Sequence, residues 1–327
     1  MKKINHIYSL TPDWQDDLVK DMGAQFLDNK IVLFPDELVS GHSYFTEVTE
    51  GVSILLIDYI SAVPLEINRL KSDNELYIIQ YDLSDEVNLL KIDDITHKIG
   101  YSINLGLAVL NNQTDNSFRP VIGKRTFALR LLVDKKLLTE YLKKNFRDEK
   151  INKKIKIGKQ MLFFYDHIDS NSKLLIHTLR DKSVFDASFE YYIKGIALRL
   201  LANFITRYSS LNQGHANLKE NEALVQTKNY LLDNLYGEFP STLFLSEMAG
   251  MSVAKYNTLF KKLFIYPPNQ FFIREKMMLA NKLLTSGSFA SITEVLYQLN
   301  YSKLRYFTEK YFEIHERKPS EDFIKME

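Results

Sequence analysis

The sequence lacks several features that would point to common classes of protein. Its 327 residues include no cysteine, which excludes disulfides, cysteine-ligated zinc, cysteine-bound iron–sulfur clusters and thiol nucleophiles. The 42 Lys and Arg residues are balanced by 41 Asp and Glu residues, so the net charge of +1 gives no overall basic field. Eight prolines and 12 glycines leave little room for disordered segments.

Long apolar runs are also missing. The most apolar short run, residues 52–57, is far shorter than the ~20 residues that a membrane-spanning helix needs. No apolar stretch follows the lysines at positions 2 and 3, as it would in a secretory signal peptide. These observations favour a cytoplasmic protein.

The pattern along the chain predicts two domains, as the length also favours at ~100–200 residues per domain. From about residue 31 to 133, short β-branched and aromatic runs alternate with turn-forming residues. This pattern predicts the strands of a sandwich or small barrel. Helical periodicity follows over about 134–208, and residues 222–327 contain no convincing strand. The prediction is an α+β chain with a β-rich domain over 1–208, a polar linker over 209–221 and an all-α domain over 222–327.

The helix predicted over 189–208 has apolar residues around most of its circumference. One set follows a helical period and is expected to face its own domain: Phe189, Ile193, Ile196, Leu200 and Phe204. A second apolar set remains, so the helix is either fully buried or shared with a partner. If it is shared, the expected partner is a second copy of the chain, and Leu198, Leu201 and Ile205 would lie at the interface of this homodimer.

An internal repeat with a period of about 50 residues occupies the last third of the chain. Residues 245–252 align with residues 295–302, and Pro268 aligns with Pro319. Each copy predicts a short helix, a tight turn near Gly250 or Asn300, and a longer helix, over 253–264 in the first copy and 303–311 in the second. This is the layout of a helix-turn-helix motif. Two solvated amphipathic helices would explain one copy equally well, but repetition at a fixed spacing favours the motif.

The same segment resembles the AraC/XylS family of bacterial transcription regulators. The resemblance rests on residues 245–252, Leu259-Phe-Lys-Lys262, Pro268, Ala280-Asn-Lys-Leu-Leu284, Ser291-Ile-Thr-Glu-Val295, Tyr306-Phe307 and Pro319-Ser320. It implies two helix-turn-helix subdomains joined by a helix over 269–284, which enter successive major grooves of DNA. It also implies that the β-rich part is a cupin-like domain that senses a small effector, dimerises, or does both.

The resemblance further assigns candidate DNA contacts. The expected base-contacting residues are Ala254, Asn257, Thr258, Leu304, Arg305, Thr308 and Glu309. The expected phosphate-contacting residues are Lys255, Lys261, Lys262 and Lys303. Thr258 and Glu309 stand where family members usually have Arg, and Ile265 and Glu316 stand where they usually have Gly. Glu309 is expected to pair on the surface with Arg305 or Lys310 more readily than to read a cytosine amino group.

The function that these features favour is sequence-specific DNA binding by a transcription regulator. Activation, with RNA polymerase as a partner, is the commoner habit of the family. The alternative is a small-molecule-binding β-barrel protein whose degenerate C-terminal helices bind protein rather than DNA. Five lysines between positions 150 and 159 favour a solvated loop over an additional DNA contact.

Nothing in the sequence indicates an enzyme. A metal-binding cupin would need a His-x-His pair, but His42 stands alone between Gly41 and Ser43. There is no glycine-rich phosphate loop and no G-x-S-x-G elbow. We therefore predict no catalytic residues, no cofactor and no metal.

Overall fold

The computed structural model describes residues 1–84, 86–92, 95–100, 106–144, 164–212 and 218–326. The chain divides into two compact units, an N-terminal unit of Met1–Ser209 and a C-terminal unit of Ser210–Glu327. The lysine-rich run at 150–159 lies outside the described residues.

The described strands of the N-terminal unit form two sheets. They are β1 (Lys2–His6), β2 (Gln25–Leu27), β3 (Ile31–Leu33), β4 (Val39–Thr49), β5 (Val52–Ser61), β6 (Leu65–Arg69), β7 (Leu76–Asp82), β8 (Asn88–Ile92), β9 (Ile95–Ile99), β10 (Leu107–Asn111), β11 (Asn116–Arg119), β12 (Arg125–Asp134) and β13 (Phe164–Asp166). The smaller sheet has the order β1-β6-β11-β8-β9, and the larger has the order β13-β10-β7-β12-β5-β4-β3-β2. Neighbouring strands are antiparallel except for β1 and β6, which are parallel.

The central strands of the larger sheet are covered on both faces, which is why β5, β7 and β12 read as almost continuous apolar runs. Alternate residues of β5 point to opposite faces. Ile54 and Leu56 belong to a core shared with the helices of this unit. Leu55 and Ile57 belong to a second core shared with the smaller sheet. The unit therefore has three layers: the smaller sheet, the larger sheet and the helices.

Four α-helices are described in this unit: α1 (Gln15–Met22), α2 (Lys135–Lys144), α3 (Ser170–His177) and α4 (Phe189–Asn212). A 3₁₀ turn over Pro12–Trp14 precedes α1, where the proline and following acids predict a helix start. The start of α4 is fixed to the sheet through Glu190, which accepts from Lys30 Nζ at 2.7 Å and from Thr46 Oγ1 at 3.2 Å.

The structure confirms the predicted fold class but corrects the predicted limits of the strands and helices within residues 1–208. Strands begin at Lys2 rather than near residue 31, and β13 lies within the part predicted to be helical. Three strands lie outside the predicted range, and β2 is one of them. All three are short and pair with one neighbour each, β1 with β6, β2 with β3 and β13 with β10. Such strands depend on a distant partner and leave little trace in local composition.

Helices extend into both ends of the predicted linker over 209–221. Helix α4 continues to Asn212, and the next helix begins at Leu218; residues 213–217 lie outside the described part. Ser, Asn, Lys and Glu were interpreted as linker residues because they are polar. An exposed helix tolerates polar residues, however, so polarity alone does not end it.

The described helices of the C-terminal unit are α5 (Leu218–Asp233), α6 (Thr242–Met248), α7 (Val253–Phe264), α8 (Pro268–Leu284), α9 (Ile292–Gln298), α10 (Leu304–His315) and α11 (Pro319–Asp322). Serine hydroxyls cap three of them by accepting from backbone N–H groups: Ser241 from Phe244, Ser252 from Lys255 and Ser291 from Glu294. The element order is the predicted one, and α7 has the predicted bounds.

The internal repeat is visible in the backbone hydrogen bonds of the two turns. Gly250 and Asn300 both have left-handed backbones, with φ of 63° and 56°. In the first copy Gly250 N donates to Glu247 O and Met251 N to Ser246 O, and in the second Asn300 N donates to Tyr297 O and Tyr301 N to Leu296 O. These bonds are related by a constant offset of 50 residues. The α6–α7 and α9–α10 pairs are therefore two copies of one helix-turn-helix.

The residues that follow the two longer helices both have a positive φ. Ile265, after α7, has a φ of 75° and a ψ of −39°, which lies outside the left-handed helical region, whereas Glu316, after α10, has a φ of 57° and a ψ of 17°, which lies within it. Glycine is the residue that adopts such backbones without steric cost, whereas a β-branched isoleucine does so rarely. Each copy therefore carries a residue at its helix end that the backbone strains.

We predict opposite effects on stability at the two kinds of left-handed position. Gly250→Ala should destabilise by about 1–2 kcal/mol through the backbone alone, because a Cβ there would meet nothing within 4 Å. Glu316→Gly should stabilise by about 0.5–1 kcal/mol, since relief of the backbone exceeds the entropy cost of glycine. Urea unfolding followed by circular dichroism at 222 nm measures both changes. The same exchange inside α10, Glu313→Gly, should destabilise; equal losses at Glu313 and Glu316 would contradict the strain.

Candidate nucleic-acid interface

Helix α7 is held by one apolar face. Tyr256, Phe260 and Leu263 are buried, and the ring of Phe260 lies 4.6 Å from that of Phe264 and 5.6 Å from that of Phe271 on α8. Because this face is fixed in the core, the opposite face must point away from the unit.

The base-contacting residues predicted on α7 lie on its accessible side. Ala254 and Thr258 are exposed, and Asn257 is half-buried. The Thr258 hydroxyl donates to the carbonyl of Ala254 at 2.9 Å, so its proton is used within the helix while its oxygen can still accept a hydrogen bond. Asn257 keeps an amide that can donate and accept at once.

The three predicted phosphate-contacting lysines of the first copy differ in their partners. Lys255 Nζ lies 2.7 Å from Glu220 Oε1 of α5, so its charge is partly balanced. Lys261 and Lys262 are exposed in the last turn of α7, and no carboxylate of the described chain lies in ion-pair range of either. Both also suit the negative end of the helix dipole. The last turn therefore presents two positive charges without a counter-charge.

The corresponding helix of the second copy, α10, carries charges that pair with one another. Arg305 Nε donates to Glu309 Oε1 at 2.9 Å, four residues along the same helix. Lys310 Nζ lies 2.7 Å from Glu313 Oε2, and this contact holds the pKa of Lys310 above its usual value. Glu309 therefore has the surface partner that the sequence analysis favours. Exposed pairs of this kind break easily.

The remaining predicted residues of the second copy lie around the start of α10. Lys303 and Leu304 are exposed, and Thr308 is half-buried. The side chains of Leu304 and Phe312 are each 51% exposed, and that of Tyr306 is 41% exposed. Sequence analysis missed this apolar character, because Tyr306 and Phe312 were not distinguished from the buried aromatics of the same helix. The second surface thus has less net positive charge than the first, and it exposes more apolar area.

Helix α8 joins the two copies and is buried along much of its length. Lys276 is only 3% exposed, although it is charged. Its Nζ donates to Gly237 O at 2.5 Å and lies 4.9 Å from the ring centre of Tyr301 in the second copy. Burial lowers the pKa of Lys276 to about 8. Lys276 therefore joins the segment before the first copy to the turn of the second.

Hydrogen bonds fix α8 to the second copy as well. Asn281 Nδ2 donates to Tyr311 Oη at 2.7 Å, and Tyr311 Oη donates to Asp322 Oδ2 at 2.6 Å. These bonds join α8, α10 and α11 through buried or half-buried groups. The orientation of α10 is thus set by polar contacts as well as by its apolar face.

The structure corrects part of the predicted dimer surface on α4. Leu198 is 48% exposed, as that prediction requires. Leu201 is 5% exposed and belongs to the core of the N-terminal unit, and Ile205 packs against the same core. The face of α4 that contacts the sheet is wider than the predicted stripe, so it includes these two residues. Leu201 is therefore not available to a partner, and Ile205 is only partly accessible.

Among the described residues, no group of three or more His, Asp or Glu side chains is placed to hold a metal ion. In the same part of the chain, no helix is both long enough and apolar enough to cross a membrane.

Comparison with known proteins gave matches among solved structures. No protein-family model and no curated protein matches the sequence. The chain is similar to the structure of ToxT from Vibrio cholerae, with 12% identity, coverage of 83% of this chain and 97% of that chain, and a TM-score of 0.29. It is also similar to the AraC-like transcriptional activator CuxR, with 9% identity, coverage of 67% and 73%, and a TM-score of 0.28. At these low identities and TM-scores, the functional argument rests on the geometry of the site.

The buried Lys276 predicts a stability that rises in alkaline solution. Its pKa is about 8 when folded and 10.5 when unfolded, so between these values the unfolded chain binds the extra proton and rising pH favours folding. From pH 8 to 10, the wild type should gain roughly 1–2 kcal/mol relative to Lys276→Met. Urea unfolding at each pH measures the difference. Lys276→Arg, which stays charged, should lack the gain; an equal pH profile for wild type and Lys276→Met would contradict the prediction.

Proposed function

We propose that this protein is a sequence-specific DNA-binding transcription regulator. The observation that carries the proposal is the repeated helix-turn-helix, whose two turns have equivalent hydrogen bonds at a constant offset of 50 residues. In this motif the second helix enters the major groove, where base edges present distinct patterns of donors and acceptors. Helices α7 and α10 are the two candidate recognition helices.

Helix α7 has side chains suited to base edges and side chains suited to phosphates. The Asn257 amide suits bidentate pairing with adenine, and Ala254 and the Thr258 methyl suit a thymine methyl. Lys261 and Lys262 supply charge without a carboxylate partner in the described chain, which suits phosphates. The first copy should therefore contribute most of the affinity for DNA.

Helix α10 would need to rearrange its ion pairs to do the same. Arg305 can reach a guanine only if it leaves Glu309, and Glu309 itself repels phosphates. Lys303 and Thr308 are the other candidates of the second copy for phosphate and base contact. The second copy therefore acts mainly by extending the contact surface to the next groove.

A homodimer would offset the weakness of one copy by joining two pairs of motifs. Exposed residues of α4 form a stripe of small and apolar side chains, Tyr191, Gly195, Leu198 and Ala202. Their spacings of four, three and four residues are those of a two-helix seam. Gly195 has open space around it, which permits a second helix to approach closely. This stripe replaces the predicted set that included Leu201 and Ile205.

The N-terminal unit is proposed to sense a small effector, and the regulator is proposed to activate transcription through RNA polymerase. Both proposals follow the AraC/XylS resemblance. The proposed function includes no enzymatic activity. One observation favours the alternative of a small-molecule-binding protein with protein-binding helices: Leu304, Tyr306 and Phe312 expose apolar surface on α10. DNA titration separates the two functions.

Lys261→Ala combined with Lys262→Ala should weaken binding to a duplex enriched from a random library and to unselected duplex by similar factors. Each lost phosphate contact reduces the slope of log K against log [salt] by about 0.9, so the slope should fall by about 2. Fluorescence anisotropy between low and physiological salt measures both quantities.

The matched control removes two exposed lysines from the N-terminal unit, Lys71→Ala with Lys98→Ala. It changes the net charge equally and should leave the salt slope unchanged. If the wild type binds no duplex at low salt, the proposed function is wrong. If both double variants change the slope alike, the contacts are not located on α7.

The dimer is tested with Leu198→Glu combined with Ala202→Glu. Two carboxylates in the seam should convert a dimer to a monomer, because they would face their own copies in a desolvated interface. Sedimentation at micromolar concentration measures the mass. Ile122→Glu introduces one carboxylate at a residue of equal exposure, 49%, and should leave the mass unchanged. A monomeric wild type would contradict the dimer.

A further inference from the structure

A cavity of about 50 Å³ lies between the two sheets of the N-terminal unit. Most of its wall is apolar, with Ile4, Leu55, Ile57 and Leu65 on the strands and Leu18 and Met22 on α1. The wall also includes Arg130, at the centre of β12, together with His6 and Trp14. The cavity is therefore an apolar space with one guanidinium in its wall.

The polar groups around the cavity are buried and incompletely used. His6, Arg130 and Trp14 are 5%, 7% and 8% exposed. Both ring nitrogens of His6, Arg130 Nε and Trp14 Nε1 have no hydrogen-bond partner. Arg and Trp can only donate, and burial lowers the pKa of His6 to about 3, so its neutral ring supplies one further N–H at neutral pH. Unpaired buried groups of this kind are costly, and they call for a ligand rich in acceptors.

The neighbouring Arg69 is also buried, but its guanidinium has several hydrogen-bond acceptors. Its guanidinium donates to the carbonyls of Asn111, Asn112 and Thr114 and to the side chain of Asn112. Arg130 instead donates to the hydroxyl of Tyr8 and lies against the rings of Tyr8 and Phe118. No carboxylate of the described chain is in ion-pair range of Arg130.

The buried carboxyl of Asp82, on the adjacent strand β7, does not serve as the counter-charge of Arg130. Asp82 accepts from Ser84 N at 2.9 Å and from Asn88 Nδ2 at 3.5 Å. Burial raises its pKa, which favours the uncharged form, although the charge of Arg130 acts in the opposite direction. The guanidinium therefore lacks a counter-charge in contact with it, and a buried cation without one is unfavourable.

We propose that this cavity binds a small monocarboxylate of about two to four carbons, with its carboxylate on Arg130 and its tail against the apolar wall. The charge of the ligand follows from the unpaired guanidinium. Its size follows from the volume, because one water molecule needs roughly 10–15 Å³ and the cavity of about 50 Å³ therefore holds about three to five non-hydrogen atoms. Acetate and propionate fit this size, and butyrate, with about six, is the upper limit. A longer acid would require the sheets to separate. The proposal rests on the proposed sensing role of the N-terminal unit.

The single tryptophan of the chain makes occupancy directly measurable, because Trp14 lines the cavity. Acetate, propionate and butyrate should change its fluorescence at constant ionic strength and raise the melting temperature. Because the ligands are so small, their dissociation constants should fall between roughly micromolar and millimolar. Butan-1-ol, butyramide and butylamine match butyrate in length and should bind at least about tenfold more weakly, as should hexadecanoate.

Titration of the full-length wild type with these ligands tests the proposal without any variant. Equal binding of butyrate and butan-1-ol would overturn the assignment of a carboxylate. Equal or tighter binding of hexadecanoate would overturn the assigned size. If no acid changes either the fluorescence or the melting temperature, the cavity is not a carboxylate site.

Variants locate the contact. Arg130→Gln should weaken butyrate binding by about 10- to 100-fold, whereas Arg125→Gln, on the same strand but paired with Asp58, should not change it. If Arg130→Gln is unfolded, Tyr8→Phe, which removes the hydroxyl that orients Arg130, should lower butyrate affinity relative to butan-1-ol. Unchanged butyrate binding in a folded Arg130→Gln would overturn the site. These titrations contain no DNA, so a failure here is separate from a failure of DNA binding.

Discussion

The N-terminal unit depends on one constraint: both faces of its larger sheet must be covered by different layers. Helices cover the face that includes Ile54 and Leu56, and the smaller sheet covers the face that includes Leu55 and Ile57. The helical side is closed by a continuous core. The side between the sheets is closed by the segment around Tyr8 and Trp14, and it retains a cavity and a buried arginine. The less completely packed side of the larger sheet is therefore the side whose buried polar groups could bind a ligand.

The C-terminal unit depends on the left-handed turn that it uses twice. A left-handed residue at Gly250 and at Asn300 sets the direction in which each longer helix leaves the shorter one. The buried aromatic face then fixes the rotation of that helix about its axis, and this rotation determines which residues are exposed. The two copies share this geometry but differ in surface charge. In the first copy, Lys261 and Lys262 have no carboxylate partner among the described residues, whereas the charged residues of α10 form ion pairs within the helix.

The C-terminal unit could be predicted from the sequence much more fully than the N-terminal one. Helix α7 has the predicted bounds because capping serine, apolar period and turn residue are all local signals. Leu201 and Ile205 were misassigned because a helical period does not say how wide the facing sheet is. The importance of Arg130 could not be predicted, because β12 reads as an apolar strand containing one arginine. Its burial depends on Tyr8 and Phe118, which only the folded chain brings to it.

The contact between Lys255 and Glu220 makes the first turn of α5 a competitor of external anions. The carboxylate occupies the lysine at 2.7 Å, so an anion that binds Lys255 must first displace it. By thermodynamic linkage, an anion on Lys255 loosens the first turn of α5, and unwinding of that turn raises the attraction of Lys255 for anions to the same degree. The conformation of the first turn of α5 and the positive charge that Lys255 presents are therefore coupled.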